Sequence, residues 1–436
     1  MTKWRRLVTQ MSRRLWVKAT LLGSLGILTA LFAAVAERFI PWNLPEVMGA
    51  TSVSSLLTII ASSMLAVTTF SLNIMVSAYG SATTNATPRA TQLLIEDRLT
   101  QNVLATFLGS FLFSMVSLVV LQTGAYGERG RVVLFLTTII VIAMVVVSLI
   151  RWIDHLTKLG RLGETTARVE NVTREAIESR LRSPHLGGRP WLDRSDSLPS
   201  EFATVPLTRI GYVQHIDMSA LSKCCKANDV DLYVKALPGT FVEPHMPLVW
   251  ITGETDETNM TEVAKEVDDA FSIGNERSYD QDPRFGFAVM SEIGSRALSP
   301  ATNDPGTAID VISRQTRLLY LWAQGTAKES REAQSESDEP KHPRVHVPPI
   351  DPADLFDDSF MLMARDGASL IEVQLRIQKS LLALAQVGDG RFRQAALYQS
   401  SLAMARAEAS MTLDQDKQRL RALVAERKAV FDATGT

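Results

Sequence analysis

Four long runs of apolar residues occupy the first third of the chain, and no charged residue or histidine interrupts any of them. A helix needs about 20 apolar residues to cross a hydrocarbon core that is roughly 30 Å thick. Because that core contains no water, each backbone amide must bond within its own helix. The pattern therefore predicts four transmembrane helices, at Ala19–Ala36, Val53–Ala78, Val103–Leu121 and Val132–Ile150.

The pattern changes after residue 153, where charged residues mix with apolar ones at the spacing of water-soluble helices and strands. Ile153–Leu181 is predicted to continue the fourth run as a charged helix. A break rich in Pro, Gly and Ser follows, and after it the alternation of residues predicts a small β-containing module. Its predicted elements are strands at Gly211–Ile216, Val230–Leu237 and Pro247–Ile251, with a helix at Ser219–Ala227.

Helical spacing returns from about Glu262, interrupted by a charged, Pro-rich stretch that predicts a flexible linker. Beyond the linker, helices are expected at Ser359–Val387 and Arg391–Ala433. The predicted fold class is a mainly α membrane protein: four transmembrane helices followed by a cytoplasmic α+β region with a small β-containing module and a helical C-terminal part. The predicted domains are 1–153 (transmembrane), 154–182 (helical extension), 183–325 (α+β module), 326–352 (linker) and 353–436 (C-terminal helices).

Charge also separates the two parts of the chain. Residues 1–153 carry 12 Lys and Arg against 5 Asp and Glu, whereas the remainder carries 33 against 42. Near the predicted spans, twelve basic residues fall on one side of the membrane and three on the other. Because basic loops stay on the cytoplasmic side, we expect a bacterial inner-membrane protein with both termini in the cytoplasm. Cleavage of the first span as a signal peptide is the alternative at the N-terminus, and it leaves the orientation of the other spans unchanged.

The second span is rich in small and polar side chains, which recur at steps of three or four residues. At 3.6 residues per turn, these positions form one stripe about 100° wide. The stripe favours either close packing between helices, with hydroxyls bonding across the contact, or a water-filled path between the copies of an oligomer, where polar groups replace part of an ion's hydration shell. Its residues are Thr51, Ser55, Thr58, Ser62, Ala66, Thr69, Asn73 and Ser77, with a shorter counterpart at Thr106, Ser110, Ser114 and Ser117.

A second candidate site lies in the segment SEIGSRALSPATNDPGTAI, residues 291–309. Asp followed by Pro is typical of a helix start, so one helix should end near Leu298 and the next should begin at Pro305. In the structural interpretation, polar side chains cross-link the tight turn between the two helices. The residues of this turn that we single out are Arg296, Ser299, Pro300, Asn303, Asp304 and Pro305.

The same turn has a functional alternative, which is the binding of an anion or a lipid phosphate. Free amides at the start of a helix attract anions. Arg296, Arg314 or Arg317 would supply the counter-charge, whereas Asp304 would oppose binding.

Three segments together resemble a known family. They are RALSPATNDPGTA, FSIGNERSYDQD and, after the second span, SAYGSATTNATPRATQLLIEDRLTQNVLATFLGSF. The chain is similar over about residues 15–425 to the bacterial predicted membrane proteins catalogued as domain of unknown function 2254. The resemblance implies an integral inner-membrane protein with a cytoplasmic domain, and it implies no activity, cofactor or substrate.

Familiar catalytic patterns are missing from the sequence, including a phosphate-binding loop, a dinucleotide fingerprint, a zinc-protease helix and a nucleophile elbow. We therefore predict no cofactor, no metal and no catalytic residue, and we leave open an enzyme that uses an unfamiliar motif. The acidic balance after residue 153 argues against a nucleic-acid partner. Adjacent Cys224 and Cys225 are expected as reduced thiols.

Two functions follow from these patterns. The first hypothesis is an oligomeric channel or permeation protein, in which the second-span stripe lines a path for an ion and the cytoplasmic part assembles or gates it. The alternative is a membrane-anchored scaffold or signalling protein, whose spans serve only as an anchor. The expected partners are the lipid bilayer and further copies of the same chain.

Overall fold

The computed structural model describes most of the chain after residue 49. The first predicted span, Ala19–Ala36, lies outside the described residues apart from a few separate positions. The described ranges are 50–95, 97–124, 128–191, 202–206, 209–253, 257–332 and 340–434, together with residues 17, 20, 21, 23, 24, 27 and 28.

Backbone contacts divide the chain into two compact units. Among the described residues after 49, the membrane unit comprises residues 50–84 and 88–165. The α+β unit comprises residues 85–87 and 166–434.

Long apolar helices form the membrane unit. Three stretches in the described residues are long and apolar enough to cross a membrane, at Ser52–Asn85, Arg98–Gln122 and Gly130–Leu156. They contain the second, third and fourth predicted spans, which confirms these as helices of the required length and composition. The helices of the unit are α1 (Ala50–Asn85), α2 (Pro88–Ile95), α3 (Arg98–Gln122) and α4 (Glu128–Leu156).

The first of these helices is longer than the sequence predicted. Helix α1 has 36 residues, so at about 1.5 Å per residue it extends some 54 Å and exceeds the thickness of a hydrocarbon core. Val53, Leu57, Ile60 and Met64 of α1 are buried in a core that also contains Phe107 and other apolar residues of α3 and α4. Their steps of three and four residues place them on one face of α1.

The predicted continuous helix through Ile153–Leu181 is wrong, because the chain breaks between α4 and the next helix, α5 (Leu162–Arg182). Gly160 adopts a positive φ of 78°, which favours glycine. A Cβ at this position would lie 3.1 Å from the Cβ of Ala78. A tight turn therefore separates the apolar helix from the charged one.

A five-stranded sheet and a three-stranded sheet form the β part of the α+β unit. The larger sheet has the order β1-β8-β4-β6-β2, with β8 parallel to both of its neighbours. The smaller sheet is antiparallel with the order β5-β3-β7. The strands are β1 (Gly188–Pro190), β2 (Ala203–Pro206), β3 (Gly211–Ile216), β4 (Asp231–Val234), β5 (Phe241–Val242), β6 (Pro247–Thr252), β7 (Phe271–Gly274) and β8 (His342–Val347).

The predicted strand alternation is confirmed in the larger sheet. Leu232 and Val234 of β4 are fully buried, and Leu232 faces Ile251 of the antiparallel β6. Helix α6 (Met218–Asn228) covers this apolar core together with α7 (Glu257–Ala270). The predicted helix at Ser219–Ala227 is therefore confirmed to within one residue at each end.

The prediction of a flexible linker at 326–352 differs from the structure in two places: residues 326–332 are the end of the helix Pro305–Glu332, and a strand follows later in the segment. His342–Val347 forms β8, whose backbone pairs with β1 on one side and β4 on the other. Val345 and Val347 are fully buried, and the His346 ring stacks on Tyr233 at 4.2 Å between centroids. Hydrogen bonds to two neighbouring strands outweigh the charged, Pro-rich composition that suggested a linker.

Helices make up the rest of the α+β unit, and they are more divided than the sequence predicted. The region Ser359–Val387 contains parts of two helices, and Arg391–Ala433 also contains two. The buried amide of Gln374 donates to the carbonyls of Ala364 and Gly367, which satisfies backbone groups freed by the first break. The helices are α8 (Pro283–Ala297), α9 (Pro305–Glu332), α10 (Pro352–Asp366), α11 (Ile371–Leu384), α12 (Gly390–Ser410) and α13 (Asp414–Thr434).

Candidate functional site

The polar residues of the second predicted span lie along one side of α1, and in the single chain they are exposed. At 3.6 residues per turn, this side is nearly opposite the buried face of Val53, Leu57, Ile60 and Met64. Helix α1 therefore presents a polar side away from the core of its own unit. We call these residues the α1 stripe: Ser55, Thr58, Ser62, Thr69, Asn73 and Ser77.

Hydroxyls in the α1 stripe bond to the backbone of their own helix. Thr58 donates to the carbonyl of Ser54 at 2.8 Å, Ser62 to that of Thr58 at 2.9 Å, and Thr69 to that of Leu65 at 3.0 Å. Each bond satisfies the hydroxyl proton and leaves the oxygen able to accept a further hydrogen bond. Asn73 makes no side-chain hydrogen bond within the part of the chain that the structure describes.

The corresponding polar residues of α3 behave in the opposite way. Ser110, Ser114 and Ser117 are at most 2% exposed, and their Oγ atoms have no hydrogen-bond partner among the described residues. We call these three the α3 row. Thr106, one turn earlier, is also buried, but it donates to the Asn102 carbonyl at 2.9 Å. A buried hydroxyl without a partner costs about 1–3 kcal/mol, so the α3 row is the more strained polar feature of the membrane unit.

Several other buried polar groups in the membrane unit are paired. The Trp152 indole Nε1 donates to Ser71 Oγ at 2.8 Å, which ties α4 to the buried side of α1. Asp97 caps α3 by accepting from the Thr100 amide at 2.8 Å. His155 Nε2 lies 3.1 Å from the same Asp97 carboxylate, so this group joins the start of α3 to the end of α4.

In the α+β unit, the SPATN turn joins α8 to α9 as the sequence predicted. The Ser299 carbonyl accepts the amides of Thr302 and Asn303 at 3.0 and 2.8 Å, and Asn303 adopts a positive φ of 46°. Asp304 caps α9, since its carboxylate accepts the Thr307 amide at 3.0 Å and the Thr307 hydroxyl at 2.6 Å. These bonds hold the pKa of Asp304 below its usual value.

The remaining residues of the turn are accessible. Pro300 and Arg296 are exposed, and Pro305 begins α9. Ser299 Oγ also bonds to the Thr302 hydroxyl at 3.2 Å. The Arg296 side chain forms no ion pair in the described part of the chain, so it does not cross-link the turn in the way that the structural interpretation expects.

Two of the three arginines expected to favour an anion at this turn are engaged elsewhere. Arg314 donates to Glu170 Oε2 at 2.7 Å, and Arg317 donates to Glu170 Oε1 at 2.9 Å. Glu170 belongs to α5 and is only 6% exposed. The anion-binding alternative therefore retains Arg296 alone as a counter-charge.

Sequence reasoning missed this Glu170 cluster. The signal was an acidic residue on the apolar face of α5, beside buried Val169, Thr173 and Ile177. A carboxylate in that position requires cationic partners, because burying a charge without pairing is costly. Nothing in the local sequence shows that the partners come from α9, about 145 residues later in the chain.

The two adjacent cysteines are free and buried in α6. Burial raises the pKa of each thiol to about 12, so neither has thiolate character at neutral pH. Among the described residues, no group of three or more His, Cys, Asp or Glu side chains is arranged to hold a metal ion. The structure therefore offers neither a reactive thiol nor a metal centre in these regions.

Comparison with curated proteins finds mycobacterial relatives that are themselves uncharacterized. The chain is 25% identical over 229 residues to the uncharacterized proteins Rv1290c of Mycobacterium tuberculosis and Mb1321c of Mycobacterium bovis. The aligned region covers 51% of this chain and 43% of each relative, so the match spans less than half the length of these curated relatives. No solved structure matches the chain.

Three helices that are long and apolar enough to span a bilayer, in a chain that also has an α+β unit, are typical of a membrane protein. Residues 12–383 match the family described as "Predicted membrane protein (DUF2254)", and the chain belongs to that family. The family description gives no activity.

Proposed function

We propose that the chain assembles in the bacterial inner membrane as a homo-oligomeric channel. In this proposal the α1 stripe lines a path between copies, and the α+β unit assembles or gates the oligomer. The observation that carries the proposal is the position of the α1 stripe on the exposed side of an otherwise apolar helix.

The two sides of α1 differ in what can cover them. The buried side packs on apolar residues of the same unit. The exposed side carries the Asn73 amide, and an amide without a partner is costly in hydrocarbon. A second copy of the chain or a file of water would relieve that cost. An oligomer with hydrated α1 stripes provides both.

The chemistry of the stripe suits a small cation. Thr58, Ser62 and Thr69 donate their protons to their own backbone, so their oxygens remain available as acceptors. Rings of such oxygens replace part of an ion's hydration shell in channels. No Asp, Glu, Lys, Arg or His interrupts residues 52–85, which favours passive permeation over a charge-coupled pump.

Basic residues support the proposed orientation. Positively charged segments near membrane helices remain in the cytoplasm. Residues 1–18 carry six Lys and Arg and no acidic residue, and four more basic residues follow the last span. We therefore infer that both termini are cytoplasmic.

Conductance in planar bilayers tests the proposal. Purified full-length protein should show single-channel currents that fall when Ser62→Leu or Asn73→Leu replaces a stripe residue. Ser63→Leu is the matched control, because Ser63 is an adjacent exposed serine that lies off the stripe on the same helix. Wild-type currents that Ser62→Leu and Ser63→Leu reduce equally would contradict a pore along the stripe.

A membrane-anchored scaffold or signalling protein is the second candidate. It is favoured by the hydroxyls that bond to their own backbone, since such a surface also packs against a neighbouring helix without water. Silent bilayers for the wild type, together with partner recovery that requires the α+β unit, would favour this alternative.

A further inference from the structure

A small cavity lies within the α+β unit, where four separate segments meet. Its volume is about 130 Å³, and it is lined by the end of α5, the middle of α9, the Pro-rich segment after β8 and the start of α12. An engineered apolar cavity of about 150 Å³ takes up benzene. The cavity is therefore the right size for one ring.

Most of the cavity wall is apolar. Trp322 and Phe392 supply aromatic surface, and four prolines contribute backbone without an N–H donor. Thr326, which also lines the cavity, donates its hydroxyl to the Trp322 carbonyl at 3.1 Å. Such a wall offers contact area to an apolar body and few hydrogen bonds.

One charged group in this wall, Arg180, forms no direct ion pair among the described residues, although the buried Asp282 carboxylate is near enough to favour its charged form. Arg180 is 8% exposed, and its only hydrogen bond among the described residues is a long one, from Nη2 to the Gln281 carbonyl at 3.3 Å. Burial lowers the pKa of Arg180 to about 10, so the side chain is still cationic at neutral pH. No nitrogen of Arg180 is among the fully buried atoms without a partner, so its remaining donors are open to the cavity, where an anion could meet them.

The other polar groups of the wall do not neutralise Arg180. His185 Nδ1 lies 2.9 Å from the Val347 carbonyl, and burial together with the nearby Arg180 charge lowers the pKa of this imidazole. Asp389 is engaged as the cap of α12, since it accepts the Phe392 amide at 2.8 Å. Arg391 adds a second positive charge, only loosely paired with Asp351 at 3.7 Å. The wall thus carries two arginines against one carboxylate, and most of the rest of it is apolar.

We propose that this cavity binds a small organic carboxylate with a ring-sized apolar body, held by Arg180 through a charge-assisted hydrogen bond. Trp322 and Phe392 contact the body of the ligand. The planar guanidinium fork matches a carboxylate, and the mostly apolar wall suits the ring rather than a fully polar inorganic anion. This inference is independent of the proposed channel, because it concerns binding alone.

The probe for this site is 4-fluorobenzoate, followed by ¹⁹F NMR with the full-length protein in detergent. We expect saturable broadening of the probe signal that excess unlabelled benzoate reverses. The uncharged 4-fluorobenzamide has the same ring, and it should bind at least about tenfold more weakly, because hydrogen bonds to a charged group are worth that much. Equal binding of the two probes, or no binding of 4-fluorobenzoate, would overturn the proposal.

Substitutions in the cavity wall test whether 4-fluorobenzoate binds there. Arg180→Met should weaken 4-fluorobenzoate binding about tenfold or more. Arg182→Gln is the matched control and should leave binding unchanged, because Arg182 is an exposed arginine on the same helix. Ile350→Trp keeps Arg180 and fills the cavity, so it should abolish binding. This variant tests the site even if Arg180→Met fails to fold. Unchanged binding in Ile350→Trp would place the probe elsewhere and overturn the proposal.

Competition distinguishes the class of anion. Inorganic phosphate should not displace 4-fluorobenzoate. If phosphate does displace it at concentrations where benzoate itself competes poorly, the site recognises an inorganic oxyanion and the proposal of an organic carboxylate is wrong.

Discussion

The α1 stripe and the α3 row carry similar side chains and have opposite environments. In the α1 stripe, hydroxyls are exposed and donate to the backbone of their own helix. In the α3 row, three serine hydroxyls are buried and have no partner among the described residues. A polar residue in a membrane helix is therefore not enough to identify a permeation path. Whether such a residue can line a path depends on its exposure and on the partner of its hydrogen bond.

The largest effect expected from this comparison is on stability. Ser114→Leu should destabilise the protein by about 3 kcal/mol, because Ser114 is fully buried and a larger side chain overpacks the helix contact. Ser62→Leu should change stability by less than about 0.5 kcal/mol, since Ser62 is exposed in the single chain. Unfolding in detergent, followed by circular dichroism, measures both. Equal losses would mean that assembly buries the α1 stripe as tightly as the α3 row.

Truncating the hydrogen-bonded Ser71 should reduce stability more than truncating Ser114, whose hydroxyl has no partner among the described residues. Ser71→Ala removes the acceptor of the Trp152 indole, which leaves a buried N–H without a partner and should cost about 1–2 kcal/mol. The Trp152→Phe background tests the assignment, since the indole donor is then absent. If Ser71→Ala costs the same in the Trp152→Phe background as in the wild type, the hydrogen bond does not contribute to stability.

The smallest expected effect shows whether the Ser114 hydroxyl has a hydrogen-bond partner in the membrane. Ser114→Ala removes only the oxygen, so stability should stay the same or rise by up to about 1 kcal/mol. The same unfolding measurement applies. A loss above about 1 kcal/mol would show that Ser114 has a partner in the membrane, such as an ordered water, and would bring the α3 row closer to a hydrated path.

The sequence predicted those elements whose signal is local. Long apolar runs predicted α1, α3 and α4, strict alternation predicted β4, and the Asp304-Pro305 pair predicted the start of α9. The break at Gly160 was missed, because one glycine in a polar stretch is compatible with a continuous helix. Strand β8 was missed because its stability comes from two distant strands rather than from its own composition.

The candidate sites also differ in whether a local sequence pattern predicts them. Periodicity alone placed the α1 stripe on one side of a helix, and the structure adds which side is buried. The Arg180 cavity could not be predicted, because its wall comes from segments near residues 180, 322, 350 and 390. No local spacing connects such positions, so only the packed structure brings them together.

Cysteine accessibility along α1 tests the central claim most directly. Asn73→Cys lies on the stripe, whereas Leu72→Cys lies beside it at an exposed apolar position. The native Cys224 and Cys225 thiols contribute little background, since their pKa is raised to about 12. For protein in lipid vesicles treated with a charged, water-soluble thiosulfonate, we predict rapid modification of Asn73→Cys and very slow modification of Leu72→Cys. Equal rates at the two positions, or no reaction at Asn73→Cys, would contradict a water-filled path along the α1 stripe.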